Sequence, residues 1–201
     1  SNDLRSFLDP NQILRLHGLD DLEFLPVSMY LQDPVIVVMG VSGCGKSTIG
    51  SALAKRLQCP FLEGDDFHPR ENKVKMGDGI ALNDNDRKGW FTTIRNALEK
   101  KSNLVVVSCS ALKQKYRNFI SELNRPVLYL HLVGNRSLLK ERIESRSVHF
   151  FDSKLLDSQI ETLEPPSDDE LAVIIEISDT VENVVNSCIH GLKQYLPASP
   201  R

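Results

Sequence analysis

The sequence GVSGCGKS at residues 40–47 follows directly on the apolar run Val35–Met39, and a helical pattern begins behind it. This is the spacing G-x-x-x-x-G-K-[ST] at the end of a predicted buried strand. Glycines at these positions let successive backbone N–H groups turn inward around phosphate oxygens, and the N-terminus of the next helix attracts the same anion. Lys46 is placed to reach the β- and γ-phosphates of a nucleotide, and the Ser47 hydroxyl to ligate Mg²⁺. The stretch therefore predicts a nucleotide-binding α/β domain.

Length and composition are those of one ordinary globular domain. The 201 residues are 41% hydrophobic and 25% charged, with a formal net charge of −3. This balance offers no basic surface for nucleic acid or an anionic membrane, and no apolar run approaches the roughly 18 residues of a spanning helix. The cysteines at positions 44, 59, 109 and 188 show neither a CxxC motif nor a Cys/His metal spacing. We expect a cytoplasmic protein with free thiols and without a nucleic-acid or membrane partner.

Apolar runs alternate with helical patterns from residue 34 onward. Strands are predicted at 35–39, 60–62, 104–107, 127–132 and 171–177, and helices at 46–57, 70–77, 86–100, 113–123, 135–146, 153–163 and 180–195. Strands without internal alternation, separated by helices, are typical of a parallel sheet covered on both faces. The apolar residues of the preceding segment, 1–33, predict short amphipathic pieces that pack on the domain or on a partner subunit.

Polar residues follow three of the predicted strands. They are Gly40–Ser47, Asp65 with His68, and Ser108–Lys113. Ligands of parallel sheets bind beyond the carboxyl ends of the strands, so the three segments should converge on one crevice. Asp65 is placed there to orient a substrate hydroxyl and accept its proton. The residue pattern alone equally allows a helix cap or a turn, and Asp66 competes for the catalytic role.

The segment Leu82–Arg87 precedes a predicted helix and is typical of a solvated turn with a helix N-cap at Asp84 or Asp86. Its spaced carboxylates also resemble half of a calcium loop, but the glycine and the distal glutamate that an EF-hand requires are missing. Trp90 is the only tryptophan of the chain, and we expect it in the core or in a pocket wall.

Arg142 and Arg146 lie one turn apart on a predicted helix and therefore share a face. Two interpretations remain open. The arginines either form a solvated helix face with neighbouring glutamates, or they clamp a transferring phosphoryl group from a mobile lid. His149-Phe150-Phe151 follows directly, and exposed aromatic residues in a polar stretch indicate a lid that excludes water.

Several further blocks make the chain resemble the gluconate kinases (gluconokinases), small P-loop kinases related in shape to shikimate and nucleoside-monophosphate kinases. The blocks are Met39–Ser47, Gly64–Pro69, Lys75-Met76 with Gly79-Ile80, Leu82–Asp84 with Asp86-Arg87 and Trp90, Cys109–Lys113 with Tyr116-Arg117, Arg146 with His149–Phe151, and Gln159–Pro166. The resemblance runs from about residue 35 to about 190. It implies an α/β P-loop kinase domain in residues 34–201, with a five-stranded parallel sheet flanked by helices and a mobile lid at about 146–166.

The resemblance also implies a function, which is the ATP-dependent phosphorylation of D-gluconate at its terminal hydroxyl for the pentose phosphate route, carried out by a homodimer with Mg²⁺. Catalytic roles are implied for Lys46, Asp65 and Arg146, and a magnesium ligand for Ser47. ATP contacts are implied for Gly40, Val41, Ser42, Gly43, Cys44, Gly45, Lys46, Ser47, Thr48 and Arg142. Substrate contacts are implied for Asp65, His68, Lys75, Arg87, Lys113, Arg117 and His149.

Two alternatives to this function stay open at the level of sequence. One is a kinase of the same shape that acts on another hydroxyl or on a nucleotide. The other is a GTP-dependent switch, but its N-K-x-D motif is incomplete because Lys75 follows Asn72-Lys73-Val74. Cys44 stands where related kinases often have serine, and we hypothesise mild sensitivity to oxidation because a nearby helix N-terminus lowers a thiol pKa.

Overall fold

One parallel sheet organises the chain. In this computed structural model, which describes residues 30–146 and 153–197, the strands are β1 (Val35–Met39), β2 (Phe61–Glu63), β3 (Val105–Ser108), β4 (Val127–Val133) and β5 (Ala172–Glu176). Their order across the sheet is β2-β3-β1-β4-β5, and every neighbouring pair is parallel. The five-stranded parallel sheet expected from the sequence is confirmed.

Helices connect the strands. They are α1 (Lys46–Leu57), α2 (Arg70–Gly77), α3 (Asp84–Glu99), α4 (Gln114–Ser121), α5 (Arg136–Arg146), α6 (Ser153–Thr162) and α7 (Val181–Leu192). A short 3₁₀ turn at Gly64–Phe67, which the sequence pattern did not reveal, follows β2. The predicted N-cap of α3 was wrong, because Asn83 caps the helix. Its side chain accepts from the Asp86 N–H at 2.9 Å, and the Asp86 carboxylate accepts from the Asn83 N–H at 3.0 Å. This reciprocal capping box places Asp86 three residues beyond the cap.

The central strands β3, β1 and β4 are buried on both faces, which explains why they show no alternation of apolar and polar residues. At the edge of the sheet, Ile174 of β5 is exposed. Successive residues of β1 point to opposite faces. One face packs against α1 and α7 through residues such as Ile36, Leu53 and Val185. The other packs against α3 and α4 through residues such as Val37 and Ile94. The polar side chains that follow the strands lie at the edge of the sheet formed by the carboxyl ends of the strands.

The chain joins the core before β1 begins. Leu31 is only 6% exposed, and its N–H donates to the Tyr195 carbonyl at 2.8 Å beyond the end of α7. Residues 1–29 lie outside the described residues, so the division of the chain at residue 34 stays a prediction. Among the helices of the described residues, none is long and apolar enough to cross a membrane.

His131, near the carboxyl end of β4, is a buried titratable side chain. It is 3% exposed, and its Nδ1 has no hydrogen-bond partner among the described residues. Burial, reinforced by the charge of Arg117, lowers the pKa of His131 to about 4. The unfolded chain, with a histidine pKa near ~6.5, binds more protons than the folded chain between these two values. The free energy of unfolding should therefore fall as the pH drops from about 6.5 towards 4.

Replacing His131 with leucine should flatten this pH dependence, since an apolar side chain takes up no proton on unfolding. The loss of slope should approach about 1.4 kcal/mol per pH unit inside this window. Urea unfolding at several pH values between 4.5 and 7 measures it. His190→Leu, at an exposed position of α7, is the matched control. Parallel stability curves for His131→Leu and the parent chain would show that His131 does not titrate in this way.

Candidate active site

The phosphate loop between β1 and α1 has a backbone that needs glycine. Gly40, Gly43 and Gly45 have φ values of 144°, 82° and 92°, a region that side chains strongly disfavour. A Cβ atom at Gly40 would lie 2.8 Å from the Leu132 carbonyl oxygen, and one at Gly43 would lie 2.8 Å from the Leu139 carbonyl oxygen. The predicted arrangement of strand, glycine loop and helix is confirmed.

The N-terminus of α1 lies open at the end of this loop. Gly45 caps the helix without a side-chain hydrogen bond, and Ser47 and Thr48 are exposed in the first turn. Free backbone N–H groups at this end of a helix attract an anion. The Lys46 ammonium donates to the Val41 carbonyl at 3.1 Å, which holds its positive charge within the loop. The arrangement suits the phosphates of a nucleotide.

Cys44 lies in the same loop, but its side chain points into the core. It is 0% exposed and belongs to the apolar cluster beneath α1 and α7. Oxidation of a thiol requires access of the oxidant to the sulfur. The burial therefore argues against the predicted sensitivity of Cys44 to oxidation.

Gln159 of α6 holds the phosphate loop from the opposite side. Its side-chain oxygen accepts from the Ser42 backbone N–H at 2.7 Å, across 117 residues of sequence. Farther along, the Glu164 N–H donates to the Leu112 carbonyl at 2.8 Å, and its carboxylate accepts from the Gln114 N–H at 2.8 Å. The described part of the predicted lid is thus bonded to the body of the domain in this structure.

Two hydrogen bonds bring the three polar strand ends together. The Gly40 N–H donates to the Ser110 carbonyl at 3.3 Å, and the Gly64 N–H donates to the Ser108 hydroxyl at 3.1 Å. The Ser108 hydroxyl in turn donates to the Glu63 carboxylate at 2.5 Å. The expected convergence on one crevice is confirmed, and it follows from the adjacency of β1, β3 and β2.

Gly64 sets the direction in which Asp65 leaves β2. A Cβ atom on Gly64 would lie 1.9 Å from the Ser108 carbonyl oxygen, so only glycine lets the backbone of β2 approach β3 this closely. On its other side, the Gly64 carbonyl accepts from the Trp90 indole N–H at 2.7 Å. Trp90 is 3% exposed, as expected for a pocket wall. Asp65 follows directly, with a side chain that is 79% exposed.

The electrostatics of Asp65 suit a proton acceptor. Partial removal from water raises the pKa of its carboxyl group above the ordinary value, and the charge of Lys46 opposes that rise. The neighbouring charges of Glu63 and Asp66 raise the pKa further, and that of Lys73 lowers it. A carboxylate with a raised pKa is a stronger base than an ordinary aspartate.

Cations line the rim of the crevice around the N-terminus of α3. Those predicted from the sequence are Lys75, Arg87 and Lys113. Lys75 donates to the Asp86 carboxylate at 2.7 Å. The charged ends of Arg87 and Lys113 each lie 5.8 Å from the centroid of the Tyr116 ring. Arg87 and Lys113 therefore approach one aromatic ring from different elements, while Lys75 is held by Asp86 in the first turn of α3. Such a cationic rim suits an anionic substrate.

Asp84 organises this rim, a role that sequence reasoning missed because the residue looked like part of a solvated turn. Its carboxylate accepts hydrogen bonds from Lys115 and from the Tyr116 hydroxyl, and Lys113 lies 3.5 Å away. The bonds to Lys115 and Tyr116 lower the pKa of Asp84 well below the ordinary value. Burial and the bond to Asp84 raise the pKa of Tyr116 to about 12, so its hydroxyl stays protonated.

Arg117 does not belong to the substrate rim, and its predicted contact with substrate is corrected. The guanidinium group is 1% exposed and binds the Glu170 carboxylate with two hydrogen bonds, at 2.5 and 3.1 Å. Its remaining nitrogen donates to the carbonyls of Ala111, at 2.8 Å, and Leu112, at 3.3 Å. All three nitrogen atoms of the guanidinium group are therefore hydrogen-bonded within the protein. Arg117 thus fastens α4 to the segment that leads into β5.

Replacing Arg117 with leucine should destabilise the protein strongly. The change leaves the Glu170 carboxylate, which is 10% exposed, without its partner, and breaking a buried pair typically costs about 3–5 kcal/mol. Urea denaturation measures the loss. Arg136→Leu is the matched control, because Arg136 binds Asp157 with the same two-bond geometry at 2.8 and 2.9 Å on the surface. Equal losses in the two variants would mean that burial of the pair is unimportant.

The predicted phosphoryl clamp is described only in part. The Arg142 guanidinium donates to the Ile177 carbonyl at 2.7 Å, directly after β5, which places it at the carboxyl edge of the sheet. The backbone of α5 ends at Arg146, whose side chain lies outside the description. His149, Phe150 and Phe151 also lie outside the described residues. The lid and the arginine clamp stay predictions.

Comparison with known proteins identifies the family. The family model described as shikimate kinase matches residues 42–192. A protein from Dictyostelium discoideum named probable gluconokinase is 43% identical over 175 residues, which cover 81% of this chain and 88% of that protein. The chain belongs to the gluconokinase family. The thermoresistant gluconokinase of Escherichia coli K12 is 38% identical, and the match covers 80% of this chain and 94% of that protein.

A solved structure agrees with this assignment. The crystal structure of a gluconokinase from Sinorhizobium meliloti 1021 superimposes with a TM-score of 0.75 at 42% sequence identity. The match covers 81% of this chain and 93% of that chain. This gluconokinase-family chain is therefore an enzyme with the P-loop kinase fold. The family assignment argues against the alternative of a regulatory GTP switch.

Proposed function

We propose that this enzyme transfers the γ-phosphoryl group of ATP to the terminal hydroxyl of D-gluconate, which yields 6-phospho-D-gluconate. The observation that carries the proposal is that the phosphate loop after β1 and Asp65 after β2 lie at the same edge of the sheet, joined through the end of β3 by the bonds of Gly40 to Ser110 and of Gly64 to Ser108. Direct transfer needs the phosphoryl donor and the acceptor hydroxyl in line and close together. A phosphate loop for the donor and a carboxylate for the acceptor hydroxyl, at the same edge of the sheet, support such an arrangement.

On the donor side, the loop backbone from Gly40 to Thr48 holds the phosphates of ATP. Lys46 neutralises charge that develops on the transferring group. Arg142 and Arg146 complete the ATP side, Arg142 as a binding residue and Arg146 as the catalytic cation. The position of Arg142 beside the Ile177 carbonyl, at the carboxyl edge of β5, is compatible with this role.

Magnesium fits this site through Ser47. The hydroxyl of Ser47 is exposed in the first turn of α1, beside the loop that holds the phosphates. Among the described residues, no group of three or more His, Cys, Asp or Glu side chains could hold a metal ion. The donor set therefore suits an ion that keeps phosphate oxygens and water as its main ligands, as Mg²⁺ does. When bound, Mg²⁺ neutralises phosphate charge in the transition state.

On the acceptor side, Asp65 orients the terminal hydroxyl and accepts its proton as the new bond to phosphorus forms. The carboxylate of gluconate, at the opposite end of the chain of hydroxyls, binds the cationic rim of Lys75, Arg87 and Lys113. His149 is a further predicted contact of the substrate, and the resemblance implied the same role for His68. Cations for the carboxylate and mixed donors and acceptors for the hydroxyls match a polyol acid.

The cellular setting is a further part of the proposal. A homodimer in the cytoplasm that feeds the pentose phosphate route is the setting implied by the family resemblance, and the composition favours the cytoplasm. Light scattering of the purified full chain measures its mass in solution. A mass of a single 22.6 kDa chain at working concentrations would reject the homodimer without affecting the proposed reaction.

A coupled ADP-release assay tests the reaction. Gluconate, shikimate and nucleoside monophosphates are each supplied with ATP and Mg²⁺, and we expect turnover with gluconate alone. Mass spectrometry and NMR of the product identify the phosphorylated hydroxyl. The absence of turnover with gluconate would reject the proposal, and turnover with one of the other acceptors would replace it by a kinase of the same shape with another substrate.

A further inference from the structure

The imidazole of His68 is held rigidly beside the proposed base. Its side chain is 3% exposed and stacks on the Trp90 ring, with centroids 4.0 Å apart and an interplanar angle of 18°. Trp90 in turn donates its indole N–H to the Gly64 carbonyl at 2.7 Å, one residue before Asp65. A single tryptophan thus fixes both the imidazole and the strand end that carries the carboxylate.

Asn72 decides which ring nitrogen of His68 carries the proton. The Asn72 side-chain nitrogen lies 2.9 Å from the Asp86 carbonyl oxygen. A carbonyl can only accept, so the amide NH₂ group must face that side. The same nitrogen lies 3.4 Å from Nδ1 of His68, and its second N–H points a donor at the ring. Nδ1 therefore accepts, and the proton of a neutral ring resides on Nε2.

The protonated edge of the ring faces the proposed base. Nε2 lies 3.7 Å from Oδ1 of Asp65, slightly beyond hydrogen-bond distance. The Asp65 side chain is exposed and therefore free to turn towards Nε2, and catalytic hydrogen bonds commonly shorten in the substrate complex. Burial, with the charges of Lys73 and Arg87, lowers the pKa of His68 to about 4. The ring is therefore neutral near pH 7.

We propose that His68 is a positioning residue for phosphoryl transfer, locked by Asn72 as the neutral Nε2–H tautomer so that it donates to the Asp65 carboxylate and aims it at the acceptor hydroxyl. A neutral donor fixes the orientation of the carboxylate. A positively charged imidazolium would also lower the pKa of the carboxyl group and make it a weaker base. This role differs from the substrate contact that the sequence suggested for His68. It rests on the proposed function, because Asp65 must be the base.

The tautomer can be tested without any substrate. The full chain is labelled with ¹⁵N in its five histidines, and long-range ¹H–¹⁵N spectra are recorded at pH 7. The signals that disappear in His68→Gln belong to His68. We expect the pattern of a neutral ring protonated at Nε2. A ring protonated at Nδ1, or an imidazolium, would overturn the proposal whatever reaction the enzyme catalyses.

Kinetics test the positioning role. His68→Phe keeps a ring on Trp90 but has no donor, so kcat should fall roughly 10- to 100-fold, as for the loss of a hydrogen bond to a charged group. The KM for ATP should change by less than about threefold, because the phosphate loop is untouched. His68→Gln carries an amide N–H near the position of Nε2 and should restore most of kcat.

The result separates positioning from packing. Thermal unfolding of both variants reports any structural loss. If His68→Phe and His68→Gln lose kcat equally, or if neither loses it, the donor has no role and the proposal fails. Should His68→Phe not fold, the tautomer spectrum of the parent still tests the proposal, because a ring protonated at Nδ1 overturns it. An inactive parent enzyme would reject the proposed reaction but would leave the spectrum interpretable.

Discussion

Replacing Lys46 with alanine is expected to lower kcat by about 10²–10³, the range found when one preorganised donor to a developing charge is removed. The ammonium of Lys46 lies in the phosphate loop, 3.1 Å from the Val41 carbonyl, and is the charge that acts on Asp65 from the donor side. Steady-state kinetics with gluconate and ATP measure the change. Because the interaction strengthens as charge moves onto the transferring phosphoryl, the loss should fall mainly on kcat.

Lys55→Ala is the matched control for this prediction. Lys55 has the same side chain in the same helix, but it is exposed in the last turn of α1, away from the loop. Its replacement should leave kcat unchanged. Retention of most activity in Lys46→Ala would mean that the loop backbone alone stabilises the transition state, and the proposed role of Lys46 would be wrong.

Replacing Asp65 with asparagine should lower kcat by about 10²–10⁴, the usual contribution of a general base. Asparagine keeps the shape of the side chain but cannot accept a proton at neutral pH. The affinity for ATP should be nearly unchanged, since the phosphate loop does not depend on this carboxylate. Single-turnover kinetics together with an ATP binding isotherm separate the two quantities.

Asp66→Asn is the decisive comparison for Asp65. The two carboxylates are neighbours in the 3₁₀ turn after β2, and both are exposed. The residue pattern alone did not choose between them, and the family resemblance favoured Asp65. The structure places Asp65 beside His68, and the charge of Lys46 acts on its carboxyl group. A larger loss of kcat in Asp66→Asn than in Asp65→Asn would transfer the role of base to Asp66 and would also remove the basis of the His68 proposal.

The outline of the fold could be predicted because its determinants are local. The bounds of α1 and α2 were predicted to the residue, and the other helix ends lie within three residues of the prediction. Helical periodicity, apolar runs and the glycine spacing of the phosphate loop each act over a few residues. The parallel topology then follows because strands joined by helices cross over in the same direction, and the meeting of polar strand ends follows from the topology.

The site could be predicted only in part, because its partners are distant in sequence. Arg117 looked like a free cation, yet its partner Glu170 lies 53 residues away. The role of Asp84 depends on Lys115 and Tyr116 on another helix. No pattern in the neighbouring residues indicates either of these two interactions. A charged side chain at the edge of a helix has the same sequence pattern whether tertiary packing buries it or leaves it to the substrate.

The amino-acid sequence by itself determined the strands, the helices, the phosphate loop and the edge of the sheet where chemistry takes place, since each depends on backbone preferences and on the spacing of apolar residues. Only the tertiary structure decided which polar groups are available to a substrate and which are already hydrogen-bonded within the protein. It buried the Arg117 guanidinium against Glu170, brought Gln159 to the Ser42 N–H and set the Asn72 amide against His68. The physical reason is that a hydrogen bond depends on distance and direction in space, which the order of residues along the chain does not contain.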